Sequence, residues 1–115
     1  MGYMMDLGSL MKILGDPTRF LIFQHLLERK HCVRSLSKKL DITESAVSQQ
    51  LKILREGGLV YGERCGYHVH YFPAQEALDF LVERFCLMKE QSLCLNRDTN
   101  VCNCEFRRNR DEHHC

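Results

Sequence analysis

At 115 residues, 44% hydrophobic and 27% charged, the chain has the length of one domain and enough apolar material for a core. No apolar run reaches the ~18 residues of a membrane span. The N-terminus has Asp6 early and no basic lead, so neither a signal peptide nor membrane contact is expected, and a cytoplasmic location is. Seven cysteines, at 32, 65, 86, 94, 102, 104 and 115, are an odd and scattered set. They exclude a secreted disulfide framework and leave metal binding, redox chemistry or no role.

The net charge is +1, unevenly spread. Residues 29–64 hold Arg29, Lys30, Arg34, Lys38, Lys39, Lys52, Arg55 and Arg64 against Asp41, Glu44, Glu56 and Glu63. Residues 65–95 are acidic on balance. A basic segment in mid-chain is read as a phosphate-facing surface.

The first helix is expected over 5–14, from apolar Met5, Leu7, Leu10, Met11 and Leu14. "GDPTR" then interrupts: Asp16 is a good N-cap, and Pro17 suits the first helical position, where its missing N–H is not needed. The helix that follows, to about Leu27, carries Phe20, Leu21, Ile22, Phe23 and Leu26 around most of its surface and reads as a central helix. "VRSLSKKL" is a short third helix with Leu36 and Leu40 inward. After the turn "DIT", Thr43 caps a fourth helix, which Gly57 and Gly58 stop. The period then shortens from 3.6 to about 2. Strands at roughly 59–64 and 67–72 flank a turn at Cys65-Gly66, a β-hairpin closed by Pro73. A last helix runs from about Gln75 to Leu95, with an apolar stripe of Leu78, Leu81, Val82, Phe85, Met88 and Leu95. Residues 96–115 are rich in Asn, Arg, Asp, Cys and His and have no core of their own.

The fourth helix has two faces. Val47, Leu51 and Leu54 form an apolar one. Ser45, Ser48, Gln49 and Lys52, at i, i+3, i+4, i+7, form another, in which short neutral donors and acceptors replace the usual Glu and Lys. Helix, turn, helix and hairpin is the winged helix-turn-helix order, a mainly α fold with a β-hairpin wing (α+β) and about five helices. In that fold the second helix lies in the major groove with its N-terminal residues against base edges. Ser and Gln hydrogen-bond base edges, and Gln prefers adenine. The candidate DNA-binding residues are Thr43, Ser45, Ser48, Gln49 and Lys52 on the helix, and Arg64, Tyr67 and His68 at the hairpin tip. Residues 1–95 are read as the DNA-binding and dimerisation domain and 96–115 as a Cys/His-rich, flexible tail. No nucleophile–base pair or cofactor loop appears, so an enzyme is not expected.

The stretches "LGDPTRFLIFQHLL", "SLSKKLDITESAVSQQLKILREGGLV" and "GYHVHYF" resemble the ArsR/SmtB family of metal-responsive repressors over about residues 10–95. The resemblance implies a homodimer joined through the first and last helices, bound to double-stranded operator DNA and released by an inducer. The wide apolar stripe of the last helix independently favours a dimer through residues 3–14 and 75–95.

The family's inducer sites transfer poorly. Its carboxylate–imidazole zinc site on the last helix falls here on Gln75, Ala77, Met88 and Gln91, none a competent zinc ligand. Its trithiolate site at the third helix reads "CVRSLS": Cys32 remains, but Arg34 and Ser37 replace the other thiols. The carbon end is thiol-rich, so the expected cofactor is a thiophilic metal or metalloid ion held by Cys94, Cys102 and Cys104, with Cys86 as a further ligand. Two alternatives stay open: a repressor switched by oxidation or persulfidation of cysteines, and a zinc-stabilised interaction module.

Overall fold

A computed structural model describes residues 5–95. Five helices and one hairpin follow in the order α1 (Leu7–Leu14), α2 (Pro17–Glu28), α3 (Val33–Leu40), α4 (Glu44–Glu56), β1 (Val60–Cys65), β2 (His68–Pro73) and α5 (Gln75–Leu93). One compact unit extends to Phe85; from Cys86 the helix belongs to a second unit. Among the described residues no helix is long and apolar enough to cross a membrane.

Local chemistry sets the helix starts. The Asp6 carboxylate accepts the Ser9 N–H at 3.0 Å, so α1 begins at Leu7, not Met5. Asp16 accepts the Arg19 N–H at 2.9 Å with Pro17 at the start of α2. Thr43 Oγ1 accepts the Ala46 N–H at 3.0 Å and opens α4. Each cap satisfies an N–H that the first helical turn leaves without a partner. Between α3 and α4, Asp41 adopts a left-handed φ of 57°, which a short polar side chain tolerates. At the end of α4, Gly58 takes φ 80° and the Leu59 N–H closes back on the Leu54 carbonyl at 2.9 Å.

The core gathers residues from every helix: Leu10, Ile22, Phe23, Leu26, Leu36, Val47, Leu51, Leu54, Ala77 and Leu81, with Leu59 and Val60 at the entry to the hairpin. Two further expectations need correction. Helix α2 is not buried all round: Ile22, Phe23 and Leu26 point inward while Phe20, Leu21 and Leu27 are exposed. Among the described residues its neighbours cover one side only. The hairpin turn lies one residue later than expected, at Gly66-Tyr67, with Cys65 paired to His68. Gly66, at φ 63°, takes the first of two turn positions, where a tight hairpin needs a positive φ.

Candidate nucleic-acid interface

Helices α3 and α4 with their three-residue turn present α4 outward. Val47, Leu51 and Leu54 are fully buried, which turns Ser45, Ser48, Gln49 and Lys52 to solvent on the opposite side. Thr43 and Glu44 are also exposed at the N-terminal end. The hydroxyl of Thr43 already serves as the helix cap, which gives this residue a structural task besides any contact with a ligand.

The two adjacent glutamines separate sharply. Gln49 is exposed, whereas Gln50 is half-buried and its side-chain oxygen accepts from Arg19 Nη1 at 2.8 Å. The same guanidinium donates through Nε to the Ile13 carbonyl at 2.6 Å. Arg19, the last residue of "DPTR", therefore joins the end of α1, the first turn of α2 and the middle of α4. Sequence reading took that motif as a helix start and missed this role, because the partner is 31 positions away.

The wing is set by its register. Tyr61 stacks on Phe72 with ring centroids 5.5 Å apart. Glu63 pairs with His70 and Cys65 with His68 on the same face, by the alternation of a strand. Arg64, Tyr67 and His68 are exposed at the tip, and Tyr67 is wholly so. At the other end the wing is anchored by main chain: the Tyr71 N–H donates to the His31 carbonyl at 2.8 Å, an isolated bridge to the segment just before α3. A groove of about 400 Å³ lies between the wing, the start of α3 and the start of α4. Cys32, Arg34, Glu44, Tyr67 and His68 are among its lining residues. The polar stripe of α4 and the cationic side chains of Arg34, Lys52 and Arg64 are all exposed, the residue types that contact base edges and phosphates in protein–DNA complexes.

Two adjacent titratable groups just before α3, His31 and the groove-lining Cys32, are perturbed. His31 is 8% exposed, and its Nδ1 lies 2.9 Å from the Ser35 hydroxyl. Burial, and then the nearby His25, Lys39 and Arg29, push its pKa down against a smaller opposing effect of Glu28. Cys32 caps α3. Burial alone would raise its thiol pKa, but hydrogen bonds from Ser35 and the Arg34 backbone outweigh that and lower it.

The thiol-rich end is only partly within the described residues. Cys86 and Cys94 are free and exposed, on α5 and just past its end. Cys102 and Cys104 lie outside the described residues. Among the described residues no three His, Cys, Asp or Glu side chains are grouped to hold a metal ion. Gln75, Met88 and Gln91 are exposed and Ala77 is buried, and none of them supplies a ligand.

The fold and this surface define a winged helix-turn-helix protein. The family description "Bacterial regulatory protein, arsR family" matches residues 16–61. The HTH-type transcriptional repressor SmtB of Mycobacterium tuberculosis is 40% identical over 75 residues, 65% of this chain and 56% of that protein, so the match spans little more than half of that relative. The biofilm growth-associated repressor of Agrobacterium fabrum is 33% identical over 89 residues, 74% of this chain and 76% of that protein. Among solved structures, an ArsR-like transcriptional regulator from Rhodococcus sp. RHA1 superposes with a TM-score of 0.64 at 26% identity, covering 76% of this chain and 85% of that one. The chain belongs to the ArsR family of bacterial regulatory proteins. These named relatives are repressors and regulators by their names.

Proposed function

We propose that this chain is a transcriptional repressor that binds double-stranded operator DNA as a homodimer and is released by a thiophilic ion. The observation that carries the DNA reading is the exposed Ser45, Ser48, Gln49, Lys52 stripe on the second helix of a helix-turn-helix, flanked by a wing with Arg64 at its tip. The homodimer is supported by the apolar side chains that α5 leaves exposed, from Val82 to Leu93. Within this reading residues 1–95 bind DNA and dimerise, and the tail contributes Cys102 and Cys104 to ion sensing beside Cys94 and Cys86.

The test is a gel shift on upstream duplex DNA under reducing conditions, with trivalent arsenic, cadmium, zinc, lead and copper(I) added in turn. The full chain should bind and then release with at least one ion. A chain cut after Leu95, and a Cys102→Ser, Cys104→Ser variant, should bind but not release. Equal release from the cut chain would place sensing elsewhere. A second reading, repression switched by cysteine oxidation, is favoured by the lowered pKa of Cys32. Release by oxidant that excess dithiothreitol reverses, with no response to ions, would select it.

A further inference from the structure

Arg19 and Ile13 lie outside the DNA-facing surface, yet both touch the helix that forms it. We propose that Arg19 is a positioning residue: with Ile13 and Gln50 it locks the end of α1 to α4 and so sets the angle at which α4 meets DNA. The inference rests on the DNA-binding reading above.

Three contacts carry it. Arg19 Nε donates to the Ile13 carbonyl at 2.6 Å, and Nη1 donates to Gln50 Oε1 at 2.8 Å. Ile13 also packs where α4 ends: a Cβ on Gly57 would collide with Ile13 Cδ1. Thus α1 is fastened to α4 once at its middle and once at its C-terminal cap. Two points of attachment fix a direction, where one would leave a pivot. The guanidinium suits the task because its donors leave one rigid plane in different directions and reach two separate acceptors together; a lysine ammonium is a single point and loses one of them. Gln50 is thereby kept as a structural group, and base reading falls to Gln49 on the exposed side. Any shift of α1 must move α4 or break these bonds. Helix α1 is one of the elements read as joining the dimer, so the lock carries its position to the recognition surface.

The experiment compares wild type with Arg19→Lys, Gln50→Met, Gln50→Glu and the Arg19→Lys, Gln50→Met double variant. Each is titrated by fluorescence anisotropy against a duplex that the wild-type chain selects from a random pool, and against a scrambled duplex of equal length. Circular dichroism melts run in parallel. Arg19→Lys keeps the charge, so a lost phosphate contact cannot explain its effect. The ratio of selected to scrambled affinity should fall about tenfold in Arg19→Lys and in Gln50→Met, the scale of one mispositioned base contact. The double variant should fall little further, because both changes break the same bond. Gln50→Glu keeps an acceptor and should keep the ratio. Affinity for scrambled DNA and its salt slope should stay at wild-type values.

The positioning role is overturned if Arg19→Lys and Gln50→Met keep the wild-type ratio, or if their losses add in full. It is equally overturned if scrambled and selected duplexes weaken together as the melts fall, since that marks a stability effect alone. If wild type itself selects no duplex, the DNA reading fails before any variant is compared, and the positioning role falls with it.

Discussion

Helices α4 and α5 are both longer than their neighbours, and they use apolar residues in opposite ways. In α4 every member of the apolar stripe is sealed: Val47, Leu51 and Leu54 are at most 1% exposed. In α5 only Ala77 and Leu81 are buried, while Val82 is 62%, Met88 49% and Leu93 75% exposed. The first pattern is complete within one chain. The second is an apolar surface with no cover among the described residues, and isolated exposed apolar residues are ordinary while a continuous series of them is not. The difference sets a helix whose apolar stripe is covered within the chain beside one whose apolar residues stay exposed among the described residues, and the proposed dimer rests on the second.

The sharpest way to break this comparison is to truncate one residue on each helix. Leu51→Ala should lose about 2–5 kcal/mol of stability, the cost of a buried cavity. Met88→Ala should change stability by less than about 0.5 kcal/mol in dilute, dissociated protein, as an exposed site does. Denaturant melts at several concentrations measure both. A large loss for Met88→Ala at the lowest concentration would mean that α5 is already covered within the chain.

Phe85→Asp tests the same surface by charge. In a dimer joined through α5 it should raise the dissociation constant at least a hundredfold, about 2.7 kcal/mol, while the monomer keeps its helical circular dichroism. Sedimentation at micromolar concentration reads the outcome, and a wild-type monomer would remove the dimer altogether. Leu81 is less informative for this purpose, because it belongs to the core of its own chain.

On α4 the expected effect is smaller and lies in recognition. Gln49→Ala should lose roughly 1–3 kcal/mol of operator affinity and relax base preference at one position. Arg64→Ala should weaken all duplexes alike and flatten the salt slope. Unchanged preference in Gln49→Ala would remove direct readout from that residue.

The smallest effect is a pH dependence. The fold favours neutral His31 and lowers its pKa. The unfolded chain takes up that proton at the ordinary value, about 6.5. Stability is therefore full above that value and falls as the pH drops below it. The loss of melting temperature between about pH 7.5 and 5.5 should be smaller in His31→Gln than in wild type. An equal loss in both would assign the acid sensitivity to other groups.

Most of the fold was legible because its signals are local. Asp16, Thr43 and the Gly57-Gly58 pair mark helix ends through contacts within a few residues, and the change of period at Val60 marks the hairpin. The slip of one residue at the turn arose because Cys65-Gly66 and Gly66-Tyr67 both contain the glycine, and only the pairing decides between them. The exposed side of α2 was illegible for a different reason: a run such as Phe20 to Phe23 shows apolar character all round but not how many neighbours exist to cover it. The stripe on α4 was placed by periodicity, yet periodicity could not tell that Arg19 holds Gln50. That bond depends on the packing of α2 against α4. The bridge from His31 to Tyr71 left no trace at all, since main-chain hydrogen bonds do not require a particular side chain.

That bridge has a consequence for how freely the wing can vary. A strap made of one peptide N–H and one peptide carbonyl is indifferent to the alphabet around it. Arg64, Tyr67 and His68 can then be rewritten at the tip while the hairpin keeps its seat on the segment before α3. The base of the wing acts as a fixed socket and its tip as an interchangeable fitting. In the DNA-binding reading proposed above, such exchanges at the tip change the strength of binding to every duplex and leave sequence choice with α4. Proline at position 71 is the one exchange that the strap forbids by chemistry alone, because it has no N–H to give.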